Sequence, residues 1–288
     1  MRIDSVFLVM AVVVLGACQP KTPVEAVDKA NASPESTEST TSGTASEEPP
    51  LPANAEPLLV EAQLMSYSET DDGLIRGYFA YPQSMVEPLP AILLIHDWWG
   101  LDQVVKDTAD RLASDGYMVL AVDLFDGKVA TSTPEAAALS RDLIEQTDAA
   151  DSNIKDAHRF LTAVAGAPDV ASMGWSMGGY WAVKTTRLLP GQVGAAVNFY
   201  GQIDDDPELI QQIDAPLLGL FGANDRSVET ARIRDYSAVA KEAGLDMTLH
   251  VYPEVSSGFA NPEDARYNVD VAEDAWQRTM VFLNLHLR

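Results

Sequence analysis

Gly174-Trp175-Ser176-Met177-Gly178-Gly179 follows the apolar run Val170-Ala171-Ser172-Met173 and precedes a helical pattern over 177–188. Strand, sharp turn and helix is the context in which a G-x-S-x-G sequence carries chemical meaning. Such a turn holds Ser176 in a strained conformation, and side chains at Gly174 and Gly178 would collide with the neighbouring backbone. Ser176 is thereby presented as a nucleophile. The helix that starts at Met177 aims its first amides at the reacting oxygen, which makes the Met177 N–H a natural oxyanion donor. A purely structural turn is the competing reading.

The segments around this turn repeat its alternation. Ala91–Ile95, Met118–Val122, Val170–Met173, Val193–Val197, Leu217–Phe221 and Met247–Val251 are near-continuous apolar runs, as expected of strands buried on both faces of a parallel sheet. Helical patterns at 102–115, 133–147, 150–165, 177–188, 227–243 and 262–285 lie between and after them. That order predicts an α/β architecture, a mostly parallel sheet flanked by helices on both faces. Gly73, between Ala62–Ser68 and Leu74–Ala80, marks an antiparallel hairpin on one edge. There is no internal repeat and no second core, so 58–288 reads as a single domain.

Open α/β sheets place their chemistry at the carboxyl ends of the strands. Asp225 occupies such a position in Phe221-Gly222-Ala223-Asn224-Asp225, downstream of Ser176 as the acid of a triad would be; the alternative is a cap for the helix at 227–243. His96-Asp97-Trp98-Trp99-Gly100 leaves another strand beside the turn, and a backbone N–H there, that of Trp98, can complete an oxyanion hole. Trp98, Trp99, Tyr180, Trp181 and Phe259 suggest an apolar pocket, although aromatic residues at such places also serve as core.

Taken together, His96-Asp97-Trp98-Trp99-Gly100-Leu101, Gly116-Tyr117 through Asp123-Leu124-Phe125, the Ser176 turn, Phe221 to Asp225, and Tyr252-Pro253 before Gly258-Phe259 resemble the dienelactone hydrolase family of α/β-hydrolases over about 62–286. The resemblance implies hydrolysis of a small-molecule ester or lactone through an acyl-serine, with Ser176 attacking, Asp225 as acid, Trp98 and Met177 as oxyanion donors, and His96, Asp97, Trp99, Phe259 and Asn261 at the substrate pocket. No cofactor and no metal are expected. Two positions depart from the family. Ser257 stands where the resemblance places the triad histidine, two residues before Phe259, and Asn261 stands where it places an arginine that holds the substrate carboxylate.

A serine hydroxyl needs a base, and Ser257 cannot supply one near neutral pH. His250 lies on the last strand, His158 in a helical pattern and His286 near the end of the chain, so only His96 is near the turn, where orienting the oxyanion loop is the competing role. Asp97 or Glu254 could accept a proton only if burial raised its pKa. The expected activity is therefore low, and the alternative is a catalytically silent binding or scaffold protein that keeps the pocket.

The 288 residues carry 43 Asp and Glu against 19 Lys and Arg, a formal net charge of −24 that repels nucleic acid and gives an anionic substrate no steering. One cysteine and four histidines leave no disulfide framework and no CxxC or HExxH zinc pattern. That cysteine ends Leu15-Gly16-Ala17-Cys18, behind Arg2 and an apolar run from Val6 to Leu15 that is short for a membrane span. The arrangement resembles a bacterial lipobox, which implies a leader at 1–17, lipidation of Cys18 and attachment to membrane lipid in the cell envelope. Gln19 in place of Asp implies the periplasmic face of the outer membrane; an ordinary cleaved leader is the alternative. Residues 18–57, rich in Pro, Ser, Thr, Glu and Ala, read as a disordered acidic linker. The mature chain is expected to begin at Cys18 and to partition with membranes, and release of a soluble product by salt alone, or processing insensitive to globomycin, would count against it.

Overall fold

The computed structural model describes residues 56–70, 73–85, 88–204 and 206–288. The leader at 1–17, Cys18 and the linker up to residue 55 lie outside them.

The hairpin of β1 (Val60–Thr70) and β2 (Gly73–Pro82) leads into β3 (Ala91–Ile95), α1 (Gln103–Ser114), β4 (Met118–Val122), α2 (Thr133–Glu145) and α3 (Thr147–Arg159). There follow β5 (Val170–Trp175), α4 (Met177–Leu188), β6 (Ala195–Phe199), α5 (Pro207–Ile210), β7 (Leu217–Gly222), α6 (Thr230–Glu242), β8 (Met247–Tyr252) and α7 (Val269–Leu287). The eight strands form one sheet in the order β1-β2-β4-β3-β5-β6-β7-β8. β1 with β2, and β2 with β4, pair antiparallel; every other pair is parallel.

Period-2 alternation sorts the apolar runs onto two faces. Ile92 and Leu94 of β3 join Val119 and Ala121 of β4 in a core with Val105, Ala109 and Leu112 of α1 and with Ala275, Trp276 and Leu283 of α7. Ala91, Leu93 and Ile95 join Met118, Leu120 and Val122 in a second core with Ala136 and Leu139 of α2 and Ile154 and Ala157 of α3. Strand β8 differs from the expectation of burial on both faces: it is the sheet's edge, and its residues are only partly covered.

Element boundaries moved where local side-chain bonds compete with the helix. The helix expected from 262 begins at Val269, because Asn261 and Asp264 accept from the backbone N–H of Glu263 and Arg266 and fold 261–267 into turns. Asn268 then caps α7 by accepting from the Val271 N–H. The pattern over 150–165 is α3, starting earlier at Thr147, followed by a wide helical turn over Phe160–Val164.

The tightest packing lies where β5 meets α4. A Cβ on Gly178 would sit 2.2 Å from Ile95 O and 2.4 Å from His96 O; one on Gly174 would sit 2.4 Å from the Gly178 carbonyl carbon. Backbone cannot yield as a side-chain tip can. Gly178→Ala is expected to lower stability by about 3 kcal/mol. Gly191→Ala, at φ +69 with no heavy atom within 4 Å, should cost about 1 kcal/mol from backbone strain alone. Urea midpoints of the two variants check the contrast.

Candidate active site

Ser176 follows β5 at φ 51 and ψ −117, and α4 begins at the next residue. Its N–H donates to Phe199 O at 2.9 Å, which ties the turn to the neighbouring β6. On the other side, Ile95 at the end of β3 pairs with Gly174, so the loop carrying Asp97 leaves the sheet next to the strand that carries the Ser176 turn. The β6 side is braced by Asn198, buried, whose Oδ1 accepts from the Gly201 N–H at 2.7 Å. The local sequence permits this crowding because Gly178, Gly179 and Gly201 carry no Cβ; on Gly179 one would stand 2.2 Å from Asn198 Oδ1 and on Gly201 one would stand 2.5 Å from Ser176 O.

Met177 is the first residue of α4, so its N–H has no acceptor within the helix. In the loop after β3, the Trp99 N–H donates to Asp97 Oδ1 at 2.8 Å and the Gly100 N–H to Asp97 O at 3.3 Å. The Trp98 N–H has no acceptor among the described residues. Both N–H groups are thus left without a partner among the described residues, one at the start of α4 and one in the loop after β3.

His96 is fully buried. The Leu124 N–H can only donate, so Nε2, 3.0 Å away, accepts, and Nδ1 carries the proton that it donates to Asp97 O at 2.6 Å. Burial lowers its pKa, which favours this neutral form. Both nitrogens are occupied, and the ring ties the loop after β3 to the loop after β4 instead of facing Ser176. His158 meets Gln192 O at 3.0 Å, His286 stacks on Phe282, and His250 lies on β8 with Arg278 Nη1 3.4 Å away.

Asp225 is 6% exposed in the loop after β7. Oδ1 accepts from the backbone N–H of Ser227 at 2.8 Å and from its hydroxyl at 2.5 Å. No donor among the described residues reaches the buried Oδ2. Capping does not account for this carboxylate, since α6 starts at Thr230 with Glu229 in the cap position. Ser257, half-buried on the loop after β8, has its Oγ 3.3 Å from Arg266 Nη1, and that guanidinium is otherwise held by Asp264 at 2.8 and 2.6 Å.

Asp97, Asp102, Val105, Trp175, Tyr200 and Asn261 are among the walls of a cleft of about 360 Å³ of free space, open solvent at its mouth included. Of the expected pocket residues, Asp97 and Asn261 line this cleft. His96, Trp99 and Phe259 do not: His96 is fully buried, as just described, and Trp99 packs edge-on against Trp98 beside the α2 and α3 core. Phe259 is wholly enclosed by Phe199, Tyr200 and Tyr252. Tyr200, at φ 42, and Arg266 were missed by sequence reasoning. The signal for Tyr200 was its place just past the carboxyl end of β6, where strand-end chemistry gathers; Arg266 follows a turn fixed by Asp264 and had none.

Burial raises the Asp97 pKa to about 7, opposed by the Trp99 N–H and reinforced by the negative charges of Asp102 and Asp264. Burial also raises the Tyr200 hydroxyl well above its ordinary value, which keeps it protonated. Among the described residues, no group of three His, Cys, Asp or Glu is placed to hold a metal ion.

Residues 75–287 match the model of the dienelactone hydrolase family. A protein of Saccharolobus solfataricus named provisionally as a carboxymethylenebutenolidase is 30% identical over 253 residues, 75% of this chain and 96% of that one. The usf protein of Aquifex pyrophilus is 28% identical over 221 residues, 74% of this chain and 94% of its own. Among solved structures, a dienelactone hydrolase-like promiscuous phosphotriesterase from metagenomic libraries superposes with a TM-score of 0.71 at 18% identity, covering 80% of this chain and 99% of that one. The dienelactone hydrolase of Anabaena variabilis does so with a TM-score of 0.61 at 21% identity, again over 80% and 99%. Both show the α/β-hydrolase fold, and the match over 75–287 goes further: the chain belongs to the dienelactone hydrolase family.

Proposed function

We propose that this protein is a slow hydrolase of small carboxylic esters or lactones that works through an acyl-serine. The observation that carries the reading is Ser176 held at φ 51 on the crowded turn between β5 and α4, where Gly174, Gly178 and Gly201 leave no room for a Cβ. Strain of this kind is kept where a side chain must be presented. Ser176 Oγ attacks the ester carbonyl, the N–H groups of Met177 and Trp98 receive the oxyanion, and water later releases the acid.

The proton of Ser176 goes to Asp97, on the loop that leaves β3 beside β5. An ordinary carboxylate is too weak a base, but one whose pKa is lifted to about 7 by burial is matched to this task. A single carboxylate without an imidazole relay leaves turnover far below that of a full triad. The cleft presents Asp97 and Asp102 and no Lys or Arg, and Asn261 stands where the family resemblance puts an arginine, so uncharged esters suit it better than carboxylated ones. In the cell the domain hangs from lipidated Cys18 in the bacterial envelope. A silent binding role competes on one observation, the unpartnered Oδ2 of Asp225.

Ser257→His decides between the two readings. On a short-chain p-nitrophenyl ester it is expected to raise turnover by about 10²–10⁴-fold, with faster labelling of Ser176 by a fluorophosphonate; two folded but inert proteins would leave the binding role. The wild-type rate should climb as pH rises through about 7, where Asp97 ionises, and level off above it. Asp97→Asn should remove that rise and most of the turnover. The same variant tests the sign of the burial effect: a carboxyl whose folded pKa lies above its unfolded value loses stability as pH rises between the two, so Asp97→Asn should raise Tm more at pH 8 than at pH 4.

A further inference from the structure

Three loops bring unspent hydrogen-bonding groups to the cleft that Asp97 lines. Asp102 comes from the start of α1, Tyr200 follows β6, and Asn261 lies on the loop after β8. Asp102 caps α1 with one oxygen, which accepts from the Val105 N–H at 3.0 Å, and no described residue donates to the other. Asn261 Oδ1 accepts from the Glu263 N–H at 2.9 Å, whereas no described residue accepts from its amide nitrogen. Tyr200 is only 4% exposed; the Ala260 N–H points at its oxygen, and its O–H proton meets no acceptor among the described residues. A buried phenol ordinarily finds a partner.

Tyr200 is also held in an uncommon conformation. A bulky residue at φ 42 is strained, and strain is kept where a side chain must be presented. Both of its chain neighbours touch the Ser176 backbone: Phe199 O accepts from the Ser176 N–H at 2.9 Å, and a Cβ on Gly201 would lie 2.5 Å from Ser176 O. Trp175, another wall of the cleft, is the residue before Ser176. A molecule in the cleft therefore lies beside the Ser176 turn.

The kinds of group left open decide the chemistry of that molecule. An ammonium has donors only and would leave the protons of Tyr200 and Asn261 unmet. A carboxylate has acceptors only and would face Asp97 and Asp102, while Arg266, whose charge reaches Tyr200, is taken up by Asp264 at 2.8 and 2.6 Å. An alkyl chain would leave all three groups open, which is costly for a buried one. A hydroxyl both donates and accepts. Several hydroxyls on one small frame can donate to Asp102 and accept from Tyr200 and Asn261. We propose that the substrate is a neutral polyhydroxylated ester or lactone, about the size of one sugar ring, held through its hydroxyls by Asp102, Tyr200 and Asn261. The inference rests on the acyl-serine reading of Ser176 and leaves Asp97 to that serine. Free space of about 360 Å³, open solvent included, is at the small end of ligand pockets and encloses no more than a single ring of this kind.

The test compares kcat/KM of the full chain on pairs of substrates with and without hydroxyls, with Ser176→Ala as the solution background. Methyl 6-O-acetyl-glucopyranoside against tetrahydropyran-2-ylmethyl acetate reads hydroxyls on the alcohol part, and glucono-1,5-lactone against δ-valerolactone reads them on the acyl part. The hydroxylated member of one pair is expected to be favoured about 10- to 100-fold. Tyr200→Phe keeps the ring against Phe259, and Asp102→Asn keeps an acceptor for the Val105 N–H; each should cut that ratio about 10-fold, with folding checked by circular dichroism. Binding is read separately by titrating methyl glucopyranoside into Ser176→Ala and following tryptophan fluorescence, since Trp175 lines the cleft; the change is expected to saturate. Ratios near one on both pairs overturn the proposal, as do a ratio that survives both variants and faster turnover of acetylcholine than of the hydroxylated substrates. Hydrolysis of p-nitrophenyl acetate that still requires Ser176 under that failure leaves the acyl-serine reading standing. Saturable binding of the glucopyranoside with no turnover of any ester by Ser176 overturns the acyl-serine reading and the substrate role with it, and leaves a polyol-binding site.

Discussion

The carbonyl oxygens of Ile95 and His96 lie against Gly178 so closely that not even a methyl group fits between them. Much else in the site is set by that contact. It fixes the distance between β3 and the start of α4, and with it the height of the loop after β3 above the Ser176 turn. It also explains why His96 is buried with both nitrogens occupied: a loop pinned on one side by backbone contact is pinned on the other by the ring's bond to the Leu124 N–H. The positive φ of Ser176 is sustained because the strands on both sides leave the turn no room to relax.

Two carboxylates near this contact meet opposite fates. Asp97 has one backbone donor and two acidic neighbours, so loss of water dominates and the proton is retained until about pH 7. Asp225 has two donors on one oxygen and none on the other. The first is a group whose charge changes near neutrality, and the second is an acceptor oriented by one edge and idle on the other. Neither condition follows from residue type; burial sets the first, and the two donors that Ser227 aims at one oxygen set the second.

The central architecture was legible because the strands from Ala91 to Phe221 are apolar on both faces and punctuated by helix patterns of ordinary length. β8 was misread as fully buried since a short apolar run carries no mark of being last in the sheet. The start of α7 was misread because Asn261 and Asp264 capture backbone donors locally, a choice the hydrophobic period does not encode. The candidate site divides the same way. The place of Ser176 on the turn after β5 and that of Asp225 on the loop after β7 could be read from motif order. The burial of Phe259 and His96, the cleft wall formed by Tyr200 and the approach of Arg266 to Ser257 are products of tertiary packing that motif order does not specify.

Among the described residues the Ser257 side chain makes one long hydrogen bond, to an exposed arginine, while the turn, the loop after β3 and the Asp225 loop are each locked by backbone contacts that do not involve it. Residue 257 is thus energetically detached from the scaffold that surrounds it. Exchange of this residue carries little penalty in folding. A larger side chain at 257 would therefore alter the loop's chemistry without requiring the frame to be rebuilt.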